Sequence, residues 1–436
     1  MIVVCDPICV GGSHEKVNSG FIWGLRLAYP DEPLRLYADR THIEAIRGIL
    51  LHDGVSVDRI EYRPFSVAQR LFPLRILAYR RRLGRLLDEA WRAGTNRIFF
   101  LSFNPEILYV LKTLKGLPRF TGFKFTFVLH AAFESVADDL PLPPVLRLPR
   151  TSIPGPSRVT QVRKMLFSAP GEIPSRVIRS LAARVRLPRL PLPRRLAEFF
   201  SVKHVMEWRH SDDIRYIALS PHVARNASRY IDTQLLNVFT VALPTVFAPA
   251  RDAPVNEYPK FAMFGYGDSL VLHNVAYKLA EKVPHGRYEI RVIGMDSRGT
   301  GELSNVTCPS GGRWMAREEM EHEARDIDAF LILYDRTRYR LSCSNAIFEA
   351  LSYMKPVIHF ENDCIEQFST EEAPIGFRCD DLDAFVGRLA DIVENYEANR
   401  ATFQTFRGSI LRLREEYSIA RSVPALRASF DWPPSS

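Results

Sequence analysis

Short runs of apolar residues alternate with segments of helical periodicity through the first 130 positions of the chain. Buried strands are predicted from apolar runs at residues 2–4, 34–37, 97–101 and 124–129. Apolar positions recur every three to four residues near 16–28, 41–51, 76–91 and 105–113, which predicts amphipathic helices there. Strands that alternate with helices at this spacing favour a parallel sheet covered on both faces.

Regular alternation resumes at residue 215, a linker is predicted at 244–257, and a second series of the same kind begins at residue 260. Strands are predicted at 215–219, 237–241, 260–265, 288–294, 329–334 and 356–360. Helices are predicted from residue 221, near 270–282, near 317–327 and at 345–354. From residue 381 onward the pattern predicts two or three helices and no further strand. The sequence therefore predicts an α/β fold with two Rossmann-like halves and a helical tail.

Residues 141–210 interrupt this order. They hold 11 of the 30 prolines, and 14 Lys and Arg against three Asp and Glu, in a chain whose net charge is +8. Proline removes amide donors and fixes φ, so the segment is not a regular βα unit. It is either an insertion with solvated arginines or a surface that docks on anionic lipid headgroups. We favour the lipid surface, because the arginine-rich helix predicted at 76–91 adds basic amphipathic surface.

The length of 436 residues accommodates two domains, since single cores stop growing near roughly 250–300 residues. We predict an N-terminal Rossmann-like domain at 1–245 with the insertion at 141–210, a C-terminal one at 246–410, and a helical tail at 411–436. No apolar run reaches the ~20 residues that span a bilayer, and the first residues lack the features of a secretory signal. We therefore expect a cytoplasmic protein that is peripheral on the inner face of the cell membrane.

The C-terminal half carries its most informative pattern at residues 328–360. A buried strand ends, a polar loop follows, and a helix begins at Ser344-Asn345. Ligands of open α/β sheets bind outside the carboxyl ends of the strands, where a helix start offers unpaired amides to a diphosphate. Glu349 can present a carboxylate to neutral hydroxyls such as those of a ribose. Taken singly, Ser344 is equally explained as an N-cap and Glu349 as a surface charge.

The string FEALSYMKPVI at residues 348–358 resembles the nucleotide-binding signature of GT-B glycosyltransferases. The resemblance is to the retaining mannosyl- and glucosyltransferases of envelope polysaccharides and glycolipids. It implies two Rossmann-like domains facing a cleft, with C-terminal helices that cross back. It also implies that Glu349 binds the ribose hydroxyls and that the helix start at Ser344 and Asn345 holds the donor phosphates.

This resemblance extends over most of the C-terminal half. The string FAMFGYGDS is similar to the first strand and glycine loop of the family's C-terminal domain, where Gly265 and Gly267 would let the backbone approach the donor. The loop PSGGRWMA lies where the family contacts the nucleobase, so Arg313 and Trp314 are candidate neighbours of the base. An indole can stack on a base, but a tryptophan packed on its own helix is an equal alternative.

Three residues of the N-terminal half are rival candidates for the catalytic group. The strand KFTFVLH ends in His130, which resembles the histidine that lies beside the transferred sugar in many retaining members. His14 and Glu15 follow the first strand, in the region where inverting members often place their general base. Such a base would take the proton of the acceptor hydroxyl as the anomeric bond breaks.

Two features depart from the family pattern. Leu341 stands where many retaining members carry a second glutamate, eight positions before Glu349. The string GYGDSLVLHN lacks the Arg and Lys that neutralise the diphosphate in those members. The nearest basic candidates are Arg340 and Arg338, in the loop before the signature helix, and Lys278. These departures leave the stereochemical outcome and the phosphate contacts open.

The leading hypothesis is transfer of a sugar, a hexose, from a nucleotide-sugar to a lipid-linked, envelope or exopolysaccharide acceptor. Helix amides and arginines would stabilise the leaving diphosphate, so we expect neither a metal nor a cofactor, and the six scattered cysteines show no ligand spacing. The alternatives are an inactive GT-B-like partner of polysaccharide assembly and a nucleotide-sugar epimerase. Nucleic-acid binding is disfavoured, because the basic segment interleaves arginine with proline and leucine rather than with stacking aromatic residues.

Overall fold

The computed structural model describes residues 1–67, 74–130, 133–134, 136, 201–265, 269–294, 303, 305–313, 315–334 and 336–432. Two predicted site residues, Gly267 and Trp314, lie outside the described residues. The same holds for residues 141–200 of the predicted basic insertion.

A seven-stranded parallel sheet forms the framework of the N-terminal half. Its strands are β1 (Ile2–Cys5), β2 (Leu34–Ala38), β3 (Ile60–Pro64), β4 (Arg97–Phe100), β5 (Lys124–Leu129), β6 (Ile214–Ala218) and β7 (Val238–Thr240). They lie in the order β3-β2-β1-β4-β5-β6-β7. In this doubly wound order the direction of winding reverses between β1 and β4, the position where open α/β sheets bind ligands.

Most of the helices described in this half begin where the local sequence supplies a cap. They are α1 (Glu15–Ala28), α2 (Arg40–His52), α3 (Leu74–Arg92), α4 (Pro105–Lys115), α5 (Val202–Glu207) and α6 (Pro221–Ala227). The Asp39 side chain accepts a hydrogen bond from the Thr41 amide at the start of α2. The Asn104 side chain accepts from the Ile107 amide at the start of α4. Such caps satisfy amides that have no partner within the helix.

The C-terminal half contains a second parallel sheet, of six strands. The strands are β8 (Lys260–Phe264), β9 (Glu289–Ile293), β10 (Val306–Thr307), β11 (Ala329–Ile332), β12 (Val357–Phe360) and β13 (Gly376–Cys379), in the order β10-β9-β8-β11-β12-β13. The helices are α7 (Ser269–Lys282), α8 (Arg317–Ala324), α9 (Asn345–Ser352), α10 (Asp363–Glu366), α11 (Leu382–Glu394), α12 (Tyr396–Glu416) and α13 (Ile419–Phe430). Within the described ranges, no helix has the length and hydropathy of a membrane-spanning segment.

The chain forms two compact units, and its final segment belongs to the first of them. The first unit is Met1–Val241 with Ala425–Ser436, and the second is Ala242–Pro424. Helix α13 therefore begins in the second unit and ends in the first. Its Ser429 carbonyl accepts a hydrogen bond from Thr126 Oγ1 on β5 (3.1 Å), and the fully buried Phe430 ring lies 5.7 Å from the ring of Phe99 on β4.

The predicted fold class is confirmed, since two Rossmann-like parallel sheets are present and the C-terminal helices cross back to the first unit. Three strands, β3, β10 and β13, have no counterpart among the predicted elements. Each is an edge strand with mixed burial. Interior parallel strands are buried on both faces and carry continuous apolar runs, whereas these edge strands carry no such signal.

Candidate functional site

In the second unit, the carboxyl end of β11 leads to a capped helix start. Ser344 is the N-cap of α9, and its side chain accepts a hydrogen bond from the Ala346 amide at 3.2 Å. The same hydroxyl lies 2.5 Å from Tyr334 Oη, two residues beyond β11. Asn345 is the exposed first residue of the helix. The first-turn amides and the helix dipole favour a negatively charged ligand group at this end.

Glu349, one turn into α9, is almost fully buried, with 2% of its surface exposed. Arg317, the first residue of α8, donates from Nη1 to Glu349 Oε2 at 2.7 Å. Asn345 Nδ2 lies 3.4 Å from the other carboxylate oxygen, Oε1. Burial acts to lower the pKa of Arg317, but the neighbouring Glu349 charge outweighs burial and raises that pKa. The carboxylate is therefore held in one orientation beside a permanent positive charge.

Two further side chains surround Arg317. Its Nε donates to Glu321 Oε1 at 3.2 Å, and its guanidinium lies over the ring of Tyr353, 5.2 Å from the centroid. Burial raises the pKa of Tyr353, so the phenol stays neutral beside the ion pair. Sequence reasoning did not single out Arg317, because it lies 32 positions before Glu349 in an otherwise acidic helix, and only the fold brings them together.

A glycine with positive φ follows each of the strands β8 and β9. Gly265 follows β8 with φ of 71°, and its amide donates to the Ile293 carbonyl at 2.8 Å. Gly294 follows β9 with φ of 132°, and a Cβ there would lie 2.9 Å from the Gly265 Cα. Gly265 therefore suits its position because of its positive φ. Gly294 is required both for its positive φ and because a side chain there would collide with Gly265. The predicted role of Gly265, which is close backbone approach to a donor, stays a prediction.

The predicted basic neighbours of the donor have protein partners in the structure. Arg313 is exposed, and its Nη1 donates to Glu319 Oε2 at 2.8 Å. Arg340 is half-buried, with its Nε 3.4 Å from the Thr337 carbonyl. Their roles at the nucleobase and the diphosphate stay predictions.

The structure also shows what occupies the positions that depart from the family pattern. Leu341 is fully buried in the apolar core of the second unit. Lys278, a candidate for phosphate binding, lies on α7 with its Nζ 2.5 Å from Asp383 Oδ1. The positive charge beside Glu349 comes instead from Arg317.

In the first unit, two of the rival catalytic candidates lie side by side. His14 precedes α1 in a left-handed conformation (φ 55°), and His130 follows β5. Their ring centroids are 4.0 Å apart at an interplanar angle of 64°. His14 is exposed on one side, yet desolvation lowers its pKa, and desolvation together with the charge of His14 lowers the pKa of His130 well below the usual value. Both imidazoles are therefore neutral near pH 7, and Glu15 is the next residue along, at the start of α1.

Behind this pair, the buried Asp6 follows β1 and accepts four hydrogen bonds. Its Oδ1 accepts from the amides of Ile8 (3.0 Å) and Cys9 (2.9 Å) and from Ser102 Oγ (2.5 Å). Its Oδ2 accepts from Asn18 Nδ2 on α1 at 2.5 Å. These bonds fix the first residues of the loop between β1 and α1.

His42, on α2, joins this network to the glycine of the loop. Its Nε2 lies 2.8 Å from Asn18 Nδ2 and 3.5 Å from Asp6 Oδ2, and its Nδ1 lies 2.7 Å from the Gly11 carbonyl. The Gly11 amide donates to Thr41 Oγ1 at 2.9 Å. Burial acts to raise the pKa of Asp6 and to lower that of His42, but the proximity of the two groups outweighs burial, so the pKa of Asp6 is lowered and that of His42 is raised. No pattern in the sequence indicated Asp6, Asn18 or His42 as site residues.

Asp6, Cys9 and His42 each offer a metal-ligand atom, and these atoms lie within 4.8 Å of one another. Metal binding requires a thiolate and uncommitted lone pairs. Burial raises the pKa of the Cys9 thiol, and the Asp6 carboxylate already accepts four hydrogen bonds. We therefore interpret these residues as a hydrogen-bonded network that shapes the loop.

Comparison with known proteins finds similarity in structure and not in sequence. No protein-family model matches the chain, and a search of curated proteins returns no match. The structure of the lipopolysaccharide outer core galactosyltransferase WaaB matches 98% of this chain and 99% of its own, with a TM-score of 0.56 and 13% identity. A glycosyltransferase from Rickettsia africae matches 99% of both chains, with a TM-score of 0.58 and 10% identity. Anabaena HepE in complex with UDP and glucose matches 98% and 99%, with a TM-score of 0.56 and 11% identity. The chain thus has the GT-B fold of glycosyltransferases.

Proposed function

We propose that this protein is a glycosyltransferase whose second unit binds a nucleotide-sugar donor. The observation that carries the proposal is the Arg317–Glu349 pair at the start of α9, beyond the carboxyl end of β11. An oriented, buried carboxylate at this position of a Rossmann-like sheet suits the two hydroxyls of a ribose. The structural similarity to HepE, which was solved with UDP and glucose, supports a nucleotide-sugar as the ligand class.

In this proposal the start of α9 stabilises the leaving diphosphate. The amides at Ser344 and Asn345 donate to phosphate oxygens, and the positive end of the helix dipole favours the negative charge that develops as the glycosidic bond breaks. Gly265 gives the donor access to backbone, and Arg340 is the basic candidate of the preceding loop. We expect no metal ion or cofactor to take part, because these groups supply the required charge stabilisation.

On the acceptor side, we propose His14 as the general base, with His130 packed against it. A base must be neutral before it accepts the proton of the acceptor hydroxyl, and desolvation lowers the pKa of His14 in that direction. His14 also has an exposed side from which an acceptor can approach, whereas His130 is more enclosed. Glu15 remains the alternative base.

The acceptor that we propose is a lipid-linked or envelope-polysaccharide glycan at the cytoplasmic face of the cell membrane, and the transferred group is a hexose. The structural similarity to WaaB, described as a lipopolysaccharide outer core galactosyltransferase, supports this class of acceptor and sugar. The basic segment at 141–210 supports a membrane surface on grounds of sequence.

Helix α3 offers a second, structural argument for membrane contact. Leu74, Leu77, Arg81, Arg85 and Arg92 recur at helical spacing and are all exposed, the two leucines by 52% and 61%. Exposed leucines that share a face with arginines suit the boundary between lipid headgroups and acyl chains. Each such arginine is worth about 1 kcal/mol near an anionic surface.

We therefore expect the protein to bind vesicles of equimolar phosphatidylcholine and phosphatidylglycerol more tightly than vesicles of phosphatidylcholine alone. The double substitution Arg81→Glu and Arg85→Glu should weaken binding to the anionic vesicles about 30-fold or more, because two attractive charges become repulsive. Flotation or surface plasmon resonance at two salt concentrations measures the effect.

The matched control makes the same charge change at Arg412→Glu and Arg421→Glu, two exposed arginines of α12 and α13. The control should bind as the wild type does. Equal loss in both double variants, or equal binding to both kinds of vesicle, would show that α3 is not a docking surface for anionic lipid.

The donor proposal is tested by thermal unfolding against UDP-, GDP-, dTDP- and CMP-linked nucleotides and sugars. A ligand that binds only the native state raises its stability by about 2.7 kcal/mol at a hundredfold excess over its Kd. We expect a selective shift for one nucleotide. If the protein unfolds cooperatively and none of the nucleotides shifts the transition, the donor site is contradicted.

That second outcome would favour an inactive GT-B-like partner of polysaccharide assembly. The observation that favours this alternative is the buried Leu341, which stands where many retaining members of the GT-B family carry a glutamate. The two functions differ in nucleotide affinity, whereas both permit binding to a membrane surface.

A further inference from the structure

The loop between β1 and α1 is held at Gly11 by both of its backbone groups. The amide donates to Thr41 Oγ1 at 2.9 Å, and the carbonyl lies 2.7 Å from His42 Nδ1. Both partners come from the start of α2, and Thr41 Oγ1 donates in turn to Asp39 Oδ1 at 2.6 Å. Gly11 itself adopts φ of 54°, a conformation that glycine tolerates and that these two bonds keep in place.

The hydrogen-bond donors and acceptors around His42 specify one neutral form of its imidazole. The Gly11 carbonyl only accepts, so Nδ1 must carry the hydrogen. Nε2 then accepts, and the atom that faces it at 2.8 Å is the Asn18 amide nitrogen. The same nitrogen lies 2.5 Å from Asp6 Oδ2. The two hydrogens of the Asn18 amide are therefore shared between Asp6 and His42.

From this geometry we propose that His42 is a positioning residue for the loop that presents His14 and Glu15, and that Asp6 and Asn18 hold it in the Nδ1–H form. The order of contacts is Asp6 to Asn18, Asn18 to His42, and His42 to the Gly11 carbonyl. The proposal deepens the proposed function and rests on it, because the loop carries the base of that reaction.

The groups that face His42 support this interpretation. On one side lie the buried Asp6 and Asn18, and on the other the Gly11 carbonyl. The charges of Glu15 on α1 and of His14 lie near enough to interact with the imidazole. His42 is itself fully buried, so it cannot contact an acceptor and can act only through the loop. A displacement of about 1 Å in a catalytic group can cost about 100-fold in rate.

The first test is the nitrogen NMR spectrum of protein labelled with ¹⁵N-histidine, which distinguishes the two neutral forms of an imidazole. His42 is assigned as the resonance lost in His42→Asn. We expect the Nδ1–H form in the wild type at a pH above the raised pKa of His42. Conversion to the Nε2–H form is expected in Asn18→Leu. An Nε2–H form in the wild type would overturn the proposal without reference to any activity.

Two substitutions then separate positioning from general stability. An asparagine amide can reach the place of Nδ1 and keep a donor to Gly11, whereas a glutamine amide reaches the place of Nε2. We expect His42→Asn to retain kcat within about threefold, and His42→Gln to lower kcat about 10- to 100-fold while KM for the donor stays the same. His52→Gln, at the exposed end of the same helix, is the matched control.

Hydrogen exchange of the peptide that contains residues 8–15 completes the test. Exchange should be faster in His42→Gln than in the wild type and close to the wild type in His42→Asn. Equal exchange in all three proteins would overturn the proposal. If no nucleotide-sugar turns over, the proposed function fails, but the tautomer and the exchange rates still decide the role of His42.

Discussion

Glu349→Leu should both abolish tight nucleotide binding and destabilise the second unit. The substitution removes one of the two carboxylates that pair with the largely buried guanidinium of Arg317, and Glu321 remains as the other. We therefore expect a loss of unfolding free energy smaller than the ~3–5 kcal/mol that a fully unpaired buried charge costs. The lost carboxylate also removes two charge-assisted hydrogen bonds to a ribose. At about 1.5 kcal/mol or more for each, the nucleotide Kd should rise about 100-fold.

A double-mutant cycle separates these two effects. Arg317→Met alone should also be destabilising, because it leaves the Glu349 carboxylate buried. Arg317→Met combined with Glu349→Leu should recover most of the lost stability, since apolar residues of similar volume replace buried ion pairs at little cost. Denaturant unfolding and calorimetric titration with the nucleotide measure both quantities. If the stable double variant binds the nucleotide as the wild type does, Glu349 serves only to hold Arg317.

His14→Ala should lower kcat by about 10²- to 10⁴-fold, the range that a positioned general base contributes. His130→Ala should have a smaller effect, because His130 acts on the ring of its neighbour. His52→Ala, an exposed histidine of the same unit, should leave kcat unchanged. The three variants are compared by steady-state kinetics with the nucleotide-sugar that the binding panel identifies.

The dependence of activity on pH should also identify His14 as the base. The base must be neutral, and the pKa of His14 lies below the usual value of 6.5, so activity should stay level through neutral pH and fall only at a more acidic pH. That acidic limb should be absent from the residual activity of His14→Ala. If His14→Ala keeps both its rate and its acidic limb while Glu15→Gln loses them, Glu15 is the base.

The interior strands of both sheets could be predicted from the sequence, because parallel strands that are buried on both faces are continuous apolar runs. RIFFL and KFTFVL became β4 and β5, and PVIHF became β12, each within one residue of the predicted bounds. The strands without a prediction, β3, β10 and β13, lie at sheet edges, where mixed burial dilutes that signal. The sequence also indicated where helices begin after strands, as at Ser344.

The site could be predicted only in part, and the missing part consists of partners that are distant in the sequence. The position of Glu349 followed from a local string, but its ion pair with Arg317 depends on how α8 packs beside α9. His14 and His130 were identified as rivals, yet their contact depends on the approach of β1 and β5 to either side of β4. Asp6, Asn18 and His42 belong to no recognisable local motif. They come into contact only because β1 and β2, which precede the helices that carry Asn18 and His42, are neighbours in the sheet.

The last segment of the first unit has a consequence for how the protein is made. Residues 242–424 are synthesised before residues 425–432. The N-terminal sheet therefore lacks two of its contacts until then, which are the packing of Phe430 on Phe99 and the hydrogen bond from Thr126 to the Ser429 carbonyl. The second unit has no such delay, because all of its residues are contiguous. Domains generally fold as units during synthesis, and long-range contacts form late. We therefore expect the C-terminal unit to have all of its residues available for folding once residue 424 has been made, and the N-terminal unit only after residues 425–432 have followed.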